Sequence, residues 1–357
     1  MRLWFIICGC LWISASNVAA LDQIRRKGAE KPLNGEITAV TQTEVVIKGQ
    51  SGGKEDRVPA NEIESITWDS PTAAVAKAKA TDRGLKTGDF DRVIEAWEEA
   101  IREMPSTREP VRLDSEFGLA RALYMKALAN RETVPKALTK LKEFAKKDHY
   151  RSYEGLVMLG DLALSTGDTA TAESTYASLG KAPWLEMQMA GKIGGGRSLL
   201  LKKDTAGAKK LFDDAVAMPV KSSLEKSRQL EAMVGQARCQ LELKQPKEAL
   251  AVLEKVILDA GEDDSRTQAE AYLRQGDCQT ALGTDQKKVL RSYLHVDVIP
   301  EFAEHRTLHA EALYRISQLF TAVGEKERGA DAASRLKDNY PDSEWAKMAP
   351  AAKEESN

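Results

Sequence analysis

The chain has few aromatic residues, few cysteines, almost no net charge and no long apolar run. Aromatic residues make up 6% of its 357 residues, and 52 Lys and Arg against 54 Asp and Glu leave a formal charge of −2. Four Cys exclude a disulfide-dense scaffold, and 24 Gly with 12 Pro exclude a collagen-like or low-complexity chain. The near-neutral balance argues against a non-specific nucleic-acid binder, so no nucleic-acid partner is expected.

Residues 1–20 have the layout of a secretory signal peptide. One cation, Arg2, precedes an apolar stretch over residues 3–13, and small residues lead to a predicted cut after Ala20. A transmembrane helix needs roughly 20 apolar residues, so this stretch is too short and no membrane span is expected. An alternative is lipoprotein cleavage before Cys10. Either route predicts an exported protein, located in the periplasm or associated with the cell envelope.

Residues 21–70 predict a small all-β module. Runs rich in β-branched residues occupy 36–40 and 44–48, and an Asn-Gly turn signal stands at Asn34-Gly35. A further apolar pattern at Val58, Ile63 and Ile66 completes four or five short strands. This spacing is similar to that of an SH3- or Sm-like small barrel, and the resemblance covers only these 50 residues.

Helical repeats follow from residue 72 onward. The segments 231–239, 270–278 and 311–319 align without gaps, at spacings of 39 and 41 residues. The second half of each unit places a small residue, an aromatic or Leu four positions on, and a further apolar or small residue three beyond that, as in Ala172, Tyr176 and Leu179. Because these positions share one helical face, the pattern predicts pairs of packed helices.

The units resemble the tetratricopeptide repeat, a helix–turn–helix of nominally 34 residues, although these periods are longer at 36–41. The resemblance covers about 73–346 and implies some seven units. It predicts a mainly α fold, with a TPR-like α-solenoid over 71–350 behind the small barrel and a disordered tail over 351–357. The ending over 340–346 is similar to that of periplasmic tetratricopeptide proteins of the bacterial cell envelope.

No catalytic constellation is present in the sequence, so an enzyme is not expected and neither is a cofactor. The glycines at 194–196 lie within a predicted helix, follow no strand and lack the Lys-Ser/Thr of a phosphate-binding loop. We interpret them as a site of close helix packing or a kink.

The histidines and cysteines leave two further questions. His305 and His309 are four residues apart and share a helical face, which permits a metal site, although we favour a structural role on the surface. Cys239 and Cys278 hold the same position in neighbouring first helices, about 8–10 Å apart, which exceeds disulfide geometry. We therefore predict two separate buried thiols and no metal.

The concave surface of a solenoid is lined mainly by first helices. The repeat frame places seven candidate partner-binding residues there: Asp161, Arg197, Arg238, Arg274, Asp277, Arg315 and Gln318. Recurrent arginines form a ladder that suits an acidic or C-terminal peptide segment. In the alternative interpretation, Glu231, Glu270 and Glu311 on the same helices neutralise the arginines as solvated ion pairs.

These patterns predict a non-catalytic interaction scaffold that binds a protein or peptide in the solenoid groove. A permanent structural subunit of an envelope assembly is the first alternative, and a histidine-based metal-binding protein or enzyme is a remote one. The sequence leaves the oligomeric state open.

Overall fold

The computed structural model describes residues 21–49, 54–69, 71–104, 108–261 and 264–349. The predicted signal peptide, the lipoprotein alternative and the predicted tail over 351–357 lie outside the described residues. The chain begins with these strands: Asp22–Arg26 (β1), Leu33–Val40 (β2), Glu44–Lys48 (β3), Glu55–Pro59 (β4) and Ile63–Thr67 (β5). All strand pairs are antiparallel, in the order β4-β3-β2-β1-β5, and a 3₁₀ turn at Ala60–Glu62 joins the two edge strands. Closure of this sheet into a barrel stays a prediction.

The predicted turn at Asn34-Gly35 is wrong, because both residues lie inside β2. A Cβ atom on Gly35 would stand 2.3 Å from the carbonyl oxygen of Lys48 in β3. Glycine is therefore required here by the close approach of a neighbouring strand. Between β1 and β2, Gly28 adopts a φ of +70°, a conformation that costs glycine little.

The sheet packs directly on the first helices. One apolar core includes Ile24 and Ile66 of the sheet and continues through Trp68 to Leu159. The indole nitrogen of Trp68 donates to Asp114 at 3.0 Å. The division of the chain into domains at residue 70 stays a prediction, and this core crosses it.

Sixteen helices follow within the described residues. They are Ala73–Thr81 (α1), Gly84–Thr87 (α2), Phe90–Arg102 (α3), Glu109–Ala129 (α4), Val134–Phe144 (α5), Ser152–Ser165 (α6), Thr169–Leu179 (α7), Leu185–Leu201 (α8), Thr205–Val216 (α9), Ser223–Glu242 (α10), Pro246–Asp259 (α11), Ser265–Ala281 (α12), Gln286–Val298 (α13), Arg306–Ala322 (α14), Lys326–Asn339 (α15) and Glu344–Met348 (α16). Apart from the short α2 and α16, they form seven antiparallel pairs, as the repeats predict.

Most turns inside a pair are built in the same way. In the pairs from α6 onward, the second residue after the first helix takes a positive φ, which is +77° at Gly167 and +64° at Lys203. An acidic residue often follows and caps the second helix: the Asp204 carboxylate accepts from the backbone N–H of Gly207 at 2.9 Å.

Aromatic residues of the second helices pack on glycines of the first helices. The Tyr176 ring lies between Gly160 and Gly194, where a Cβ on Gly194 would come within 2.1 Å of a ring atom. Phe212 lies in the same way against Gly196 and Gly235. The interpretation of the triple glycine as a site of close helix packing is therefore confirmed.

The first helices of the second to seventh pairs, which we call the inner helices, are α4, α6, α8, α10, α12 and α14. Successive inner helices contact one another, so they line the concave surface, while the second helices form the outside. The curvature is strong enough for α14 to contact α4, so the solenoid closes on itself. The mainly α fold class, with a solenoid behind an N-terminal sheet, is confirmed.

Candidate functional site

Two of the predicted residues, Asp161 and Asp277, are held by tyrosines from the outer helices. The Tyr176 hydroxyl donates to Asp161 at 2.9 Å, and the Tyr293 hydroxyl donates to Asp277 at 2.8 Å. Each carboxylate comes one residue after the glycine on which its tyrosine packs. Burial and the adjacent carboxylate raise the pKa of both tyrosines, so the hydroxyls remain donors. Packing of the repeats thus orients the two carboxylates.

Arg197 of α8 lies at the centre of the inner surface. Its guanidinium stands 2.8 Å from a Glu231 oxygen on α10 and 3.5 Å from a Glu270 oxygen on α12. One side chain therefore joins three successive inner helices, which requires a tightly wound solenoid.

Glu231 and Glu270 are buried acceptors that remain ionised. Burial by itself would raise the pKa of Glu231, but the cations of Arg228, Arg197 and Arg266 lower it to about 2. The pKa of Glu270 is lowered against burial in the same way, with Arg197 as the strongest contributor.

Arg274 of α12 forms two close ion pairs. It contacts Asp277 and Glu311 at 2.5 Å each, and its side chain is only 15% exposed. Because Asp277 also accepts from Tyr293, these groups form a hydrogen-bonded polar cluster between α12 and α14.

Arg238 of α10 is only partly compensated. Its one hydrogen bond to a described residue is long, at 3.4 Å to Glu270, and its side chain is 39% exposed. Burial and the neighbouring cations of Arg274 and Arg197 lower its pKa, although Glu270 opposes them. Arg238 therefore carries N–H groups that an incoming anion can use.

Arg315 of α14 has no hydrogen bond to any described residue. Its nearest carboxylates, on Glu311 and Asp277, are 3.8 and 4.0 Å away, and the side chain is 35% exposed. Its guanidinium lies over the Trp345 ring, 5.5 Å from the ring centroid, and its buried Nε has no hydrogen-bond partner in the described part of the chain. Gln318, one turn further on, donates to the Tyr314 hydroxyl at 2.7 Å.

Five of the seven predicted residues line one groove of about 740 Å³ at the C-terminal ends of α10, α12 and α14. They are Arg238, Arg274, Asp277, Arg315 and Gln318. Arg197 and Asp161 lie elsewhere on the inner surface and do not line this groove. The groove is the candidate partner-binding site.

The predicted arginines do not form a single ladder, because they do not share one repeat position. Arg197, Arg238, Asp277 and Gln318 hold equivalent positions, at spacings of 41, 39 and 41, whereas Arg274 and Arg315 lie one turn earlier.

The glutamates do pair with arginines, as the alternative interpretation expects, but these pairs are largely buried rather than solvated. Some cross between helices, as in Arg197–Glu231 and Arg274–Glu311, and others lie within one helix, as in Arg228–Glu231.

Tyr293 and Lys244 are among the groove residues that the sequence analysis missed. The recurrence of a glycine-aspartate step in an inner helix with a tyrosine in the next helix would have indicated Tyr293. Lys244 occupies the turn position with a positive φ of +62°, where its repeat lacks a glycine.

The histidine pair does not form the metal site considered from the sequence. His305 directly precedes α14, and its Nε2 lies 2.9 Å from the Ser265 hydroxyl. The predicted surface position is wrong for His309, which is buried, with Nδ1 at 2.6 Å from the Tyr340 hydroxyl and Nε2 at 3.1 Å from Asp297. Within the described residues, no three His, Cys, Asp or Glu side chains are grouped as ligands for a metal ion.

Cys239 and Cys278 are both fully buried and unpaired, as predicted. Burial raises the pKa of each thiol to about 11. Among the helices that the structure describes, none has the length and apolar character needed to cross a lipid bilayer.

Comparison with known proteins identifies the repeats. The family model described as "Tetratricopeptide repeat" matches residues 231–260 and 311–343. The first segment covers the C-terminal part of α10 and all of α11. The second covers most of α14 and all of α15. No curated protein matches the chain.

Two solved structures are similar to this chain in fold. One is a Rap protein complexed with competence and sporulation factor, with a TM-score of 0.51 and 14% identity over 76% of this chain and 78% of that one. The other is a tetratricopeptide repeat protein from Parabacteroides merdae ATCC 43184, with a TM-score of 0.50 and 16% identity over 77% of this chain and 96% of that one. At these identities the likeness concerns the fold alone.

Proposed function

We propose that this tetratricopeptide-repeat solenoid is a non-catalytic scaffold that binds a protein or peptide partner in the groove at the ends of α10, α12 and α14. The observation that carries the proposal is the pair of incompletely compensated arginines, Arg238 and Arg315, in that groove. The Rap protein, which has a similar fold, is complexed with competence and sporulation factor, and this supports a binding role.

The chemistry of the groove favours carboxylates as the groups recognised. A guanidinium presents planar pairs of N–H donors that match a carboxylate. Arg238 and Arg315 are partly exposed and have no carboxylate oxygen closer than 3.4 Å, whereas Arg274 is paired with Asp277 and Glu311. An acidic or C-terminal segment of the partner would supply the missing negative charge.

We further propose that the protein acts after export, in the periplasm or at the cell envelope. This rests on the signal-like sequence of residues 1–20. Residue Leu21 is then the first of the mature chain.

A double charge reversal tests the groove. Arg238→Glu with Arg315→Glu, in the chain starting at Leu21, should abolish capture of the partner from an envelope extract, because both cationic contacts become repulsive. The matched control is Lys210→Glu with Lys255→Glu, which makes the same charge change at exposed positions on outer helices. Circular dichroism verifies that both variants fold. Equal capture of the same partner by wild type and the groove variant would contradict the proposal.

A permanent structural subunit is the second candidate. Leu258 and Val298 hold equivalent positions, 40 residues apart, at the ends of the outer helices α11 and α13, and both are strongly exposed. Light scattering coupled to size exclusion should show a stable oligomer that Leu258→Asp with Val298→Asp dissociates. A monomeric wild-type chain would exclude self-assembly through this surface.

A further inference from the structure

The solenoid is closed by a contact between its first two helix pairs and its last helix pair, which we call the seam. Lys86 of α2 forms an ion pair with Glu304 at 2.7 Å, although 218 residues separate them. Beside α4, residues Leu128 and Arg131 face Tyr340 and Trp345 of the last unit across a small cavity of about 90 Å³.

The seam is held more weakly than the interfaces between successive pairs. Lys86 and Glu304 are 72% and 51% exposed, so their ion pair contributes about 0–1 kcal/mol in stability. The cavity between the two sides means that apolar side chains there lack part of their packing. In contrast, neighbouring pairs share buried aromatic residues and buried ion pairs, such as Phe212 between two glycines.

Closure also determines which arginines a macromolecule can reach. Arg197 bridges Glu231 and Glu270 at the centre and is only 17% exposed, whereas the groove arginines lie near the end of the inner surface. With the seam shut, a peptide chain can reach Arg238 and Arg315 without passing into the centre. Separation of the first and last pairs would widen the whole inner surface.

We propose that the solenoid opens at the seam, and that this opening controls access of a partner to the inner arginines beyond the groove. The access part of this inference rests on the proposed function, since it extends the same binding surface. Opening itself is a property of this chain alone and is measured without a partner.

Distances across the seam test the opening. Arg131→Cys with Asp342→Cys places spin labels at exposed positions on its two sides while leaving Lys86 and Glu304 intact. The native thiols are fully buried, and labelling of the parent chain verifies that they do not react. Double electron–electron resonance measures the distance between the two labels, and it should show one population with a short distance and one with a long distance. The long population should increase when salt rises from about 0.1 M to about 0.5 M, which screens the exposed ion pair.

Charge variants sharpen this measurement. Lys86→Glu should raise the ratio of open to closed molecules by about two- to fivefold, since an exposed pair is replaced by repulsion. Adding Glu304→Lys restores opposite charges and should return the ratio to that of wild type. Labels at Lys210→Cys and Lys255→Cys, within neighbouring repeats, should keep one distance throughout. A single short distance across the seam in every variant and at every salt concentration overturns the opening.

Access is measured with phenylglyoxal, a reagent that modifies guanidinium groups. Linking the cysteines at 131 and 342 with a short bis-maleimide should slow modification of Arg197 severalfold, while exposed Arg328 serves as the internal reference. Equal rates in linked and unlinked protein overturn the control of access. Neither result depends on the charge-reversal test of the groove, so failure of one inference is distinguishable from failure of the other.

Discussion

The centre of the inner surface and the groove at its end use the same residue type for different purposes. At the centre, Arg197 contacts two buried glutamates and joins three helices. In the groove, Arg238 has one long hydrogen bond and Arg315 has none to a described residue. The difference lies in how closely a carboxylate approaches, which is set by helix packing: the nearest carboxylate oxygen is 2.8 Å from Arg197, 3.4 Å from Arg238 and 3.8 Å from Arg315. An arginine with its acids in place stabilises the fold, and one without them remains available to a ligand.

The largest effect is expected from Glu270, which serves both regions. Glu270→Ala removes the acid shared by Arg197 and Arg238 and leaves buried positive charge, so it should destabilise the chain by about 3–5 kcal/mol in urea unfolding. Glu248→Ala, on the exposed side of α11, is the control and should change stability by less than about 0.5 kcal/mol. If Glu270→Ala lowered the free energy of unfolding by less than about 1 kcal/mol, the ion pairs of Glu270 with Arg197 and Arg238 would not be what holds the centre of the inner surface.

Acid should weaken the centre of the inner surface. The pKa of Glu231 is lowered from 4.5 to about 2 in the folded chain. Its stabilising contribution is therefore complete above pH 4.5 and is lost as the pH falls toward 2, about 3 kcal/mol in all. Thermal unfolding between pH 6 and pH 2 measures this loss. Glu231→Gln should show a flatter pH dependence, and an identical slope in both proteins would refute this role.

The tyrosine anchors should differ between the two regions. Tyr176→Phe removes the one side-chain hydrogen bond of Asp161 in the described chain and should cost about 1.5–3 kcal/mol. Tyr293→Phe should cost about 1 kcal/mol, because Asp277 keeps Arg274 and Arg315 nearby. Urea unfolding of the two variants, side by side, measures the difference. A larger loss for Tyr293→Phe would reverse this order.

The smallest effect on stability is expected in the groove. Arg238→Ala should change the free energy of unfolding by less than about 1 kcal/mol, since a partly exposed, loosely paired arginine contributes little. Its effect should appear in partner binding instead. A large stability loss for this variant would place Arg238 with the structural arginines of the centre.

Much of the fold could be predicted from local pattern. The small-then-aromatic spacing around Ala172 and Tyr176 indicated helix pairs, and the glycines at 194–196 were correctly assigned to helix packing. The signal at Asn34-Gly35 was misread because glycine serves turns and close strand contacts alike. Five of seven site residues meet in one groove, but the pairs of Arg238 with Glu270 and of Arg274 with Glu311 could not be assigned, since they join different helices.

The sequence by itself determined the helix pairs, their number and the residue types on the inner surface, because these depend on periodicity within about 40 residues. Only the tertiary structure decided that Arg197 reaches Glu270 and that α14 returns to α4. Both depend on the small rotation from each pair to the next, which accumulates along the solenoid. Side-chain packing at every interface sets the total rotation. The total rotation in turn decides which arginines are closely paired with carboxylates and which are not.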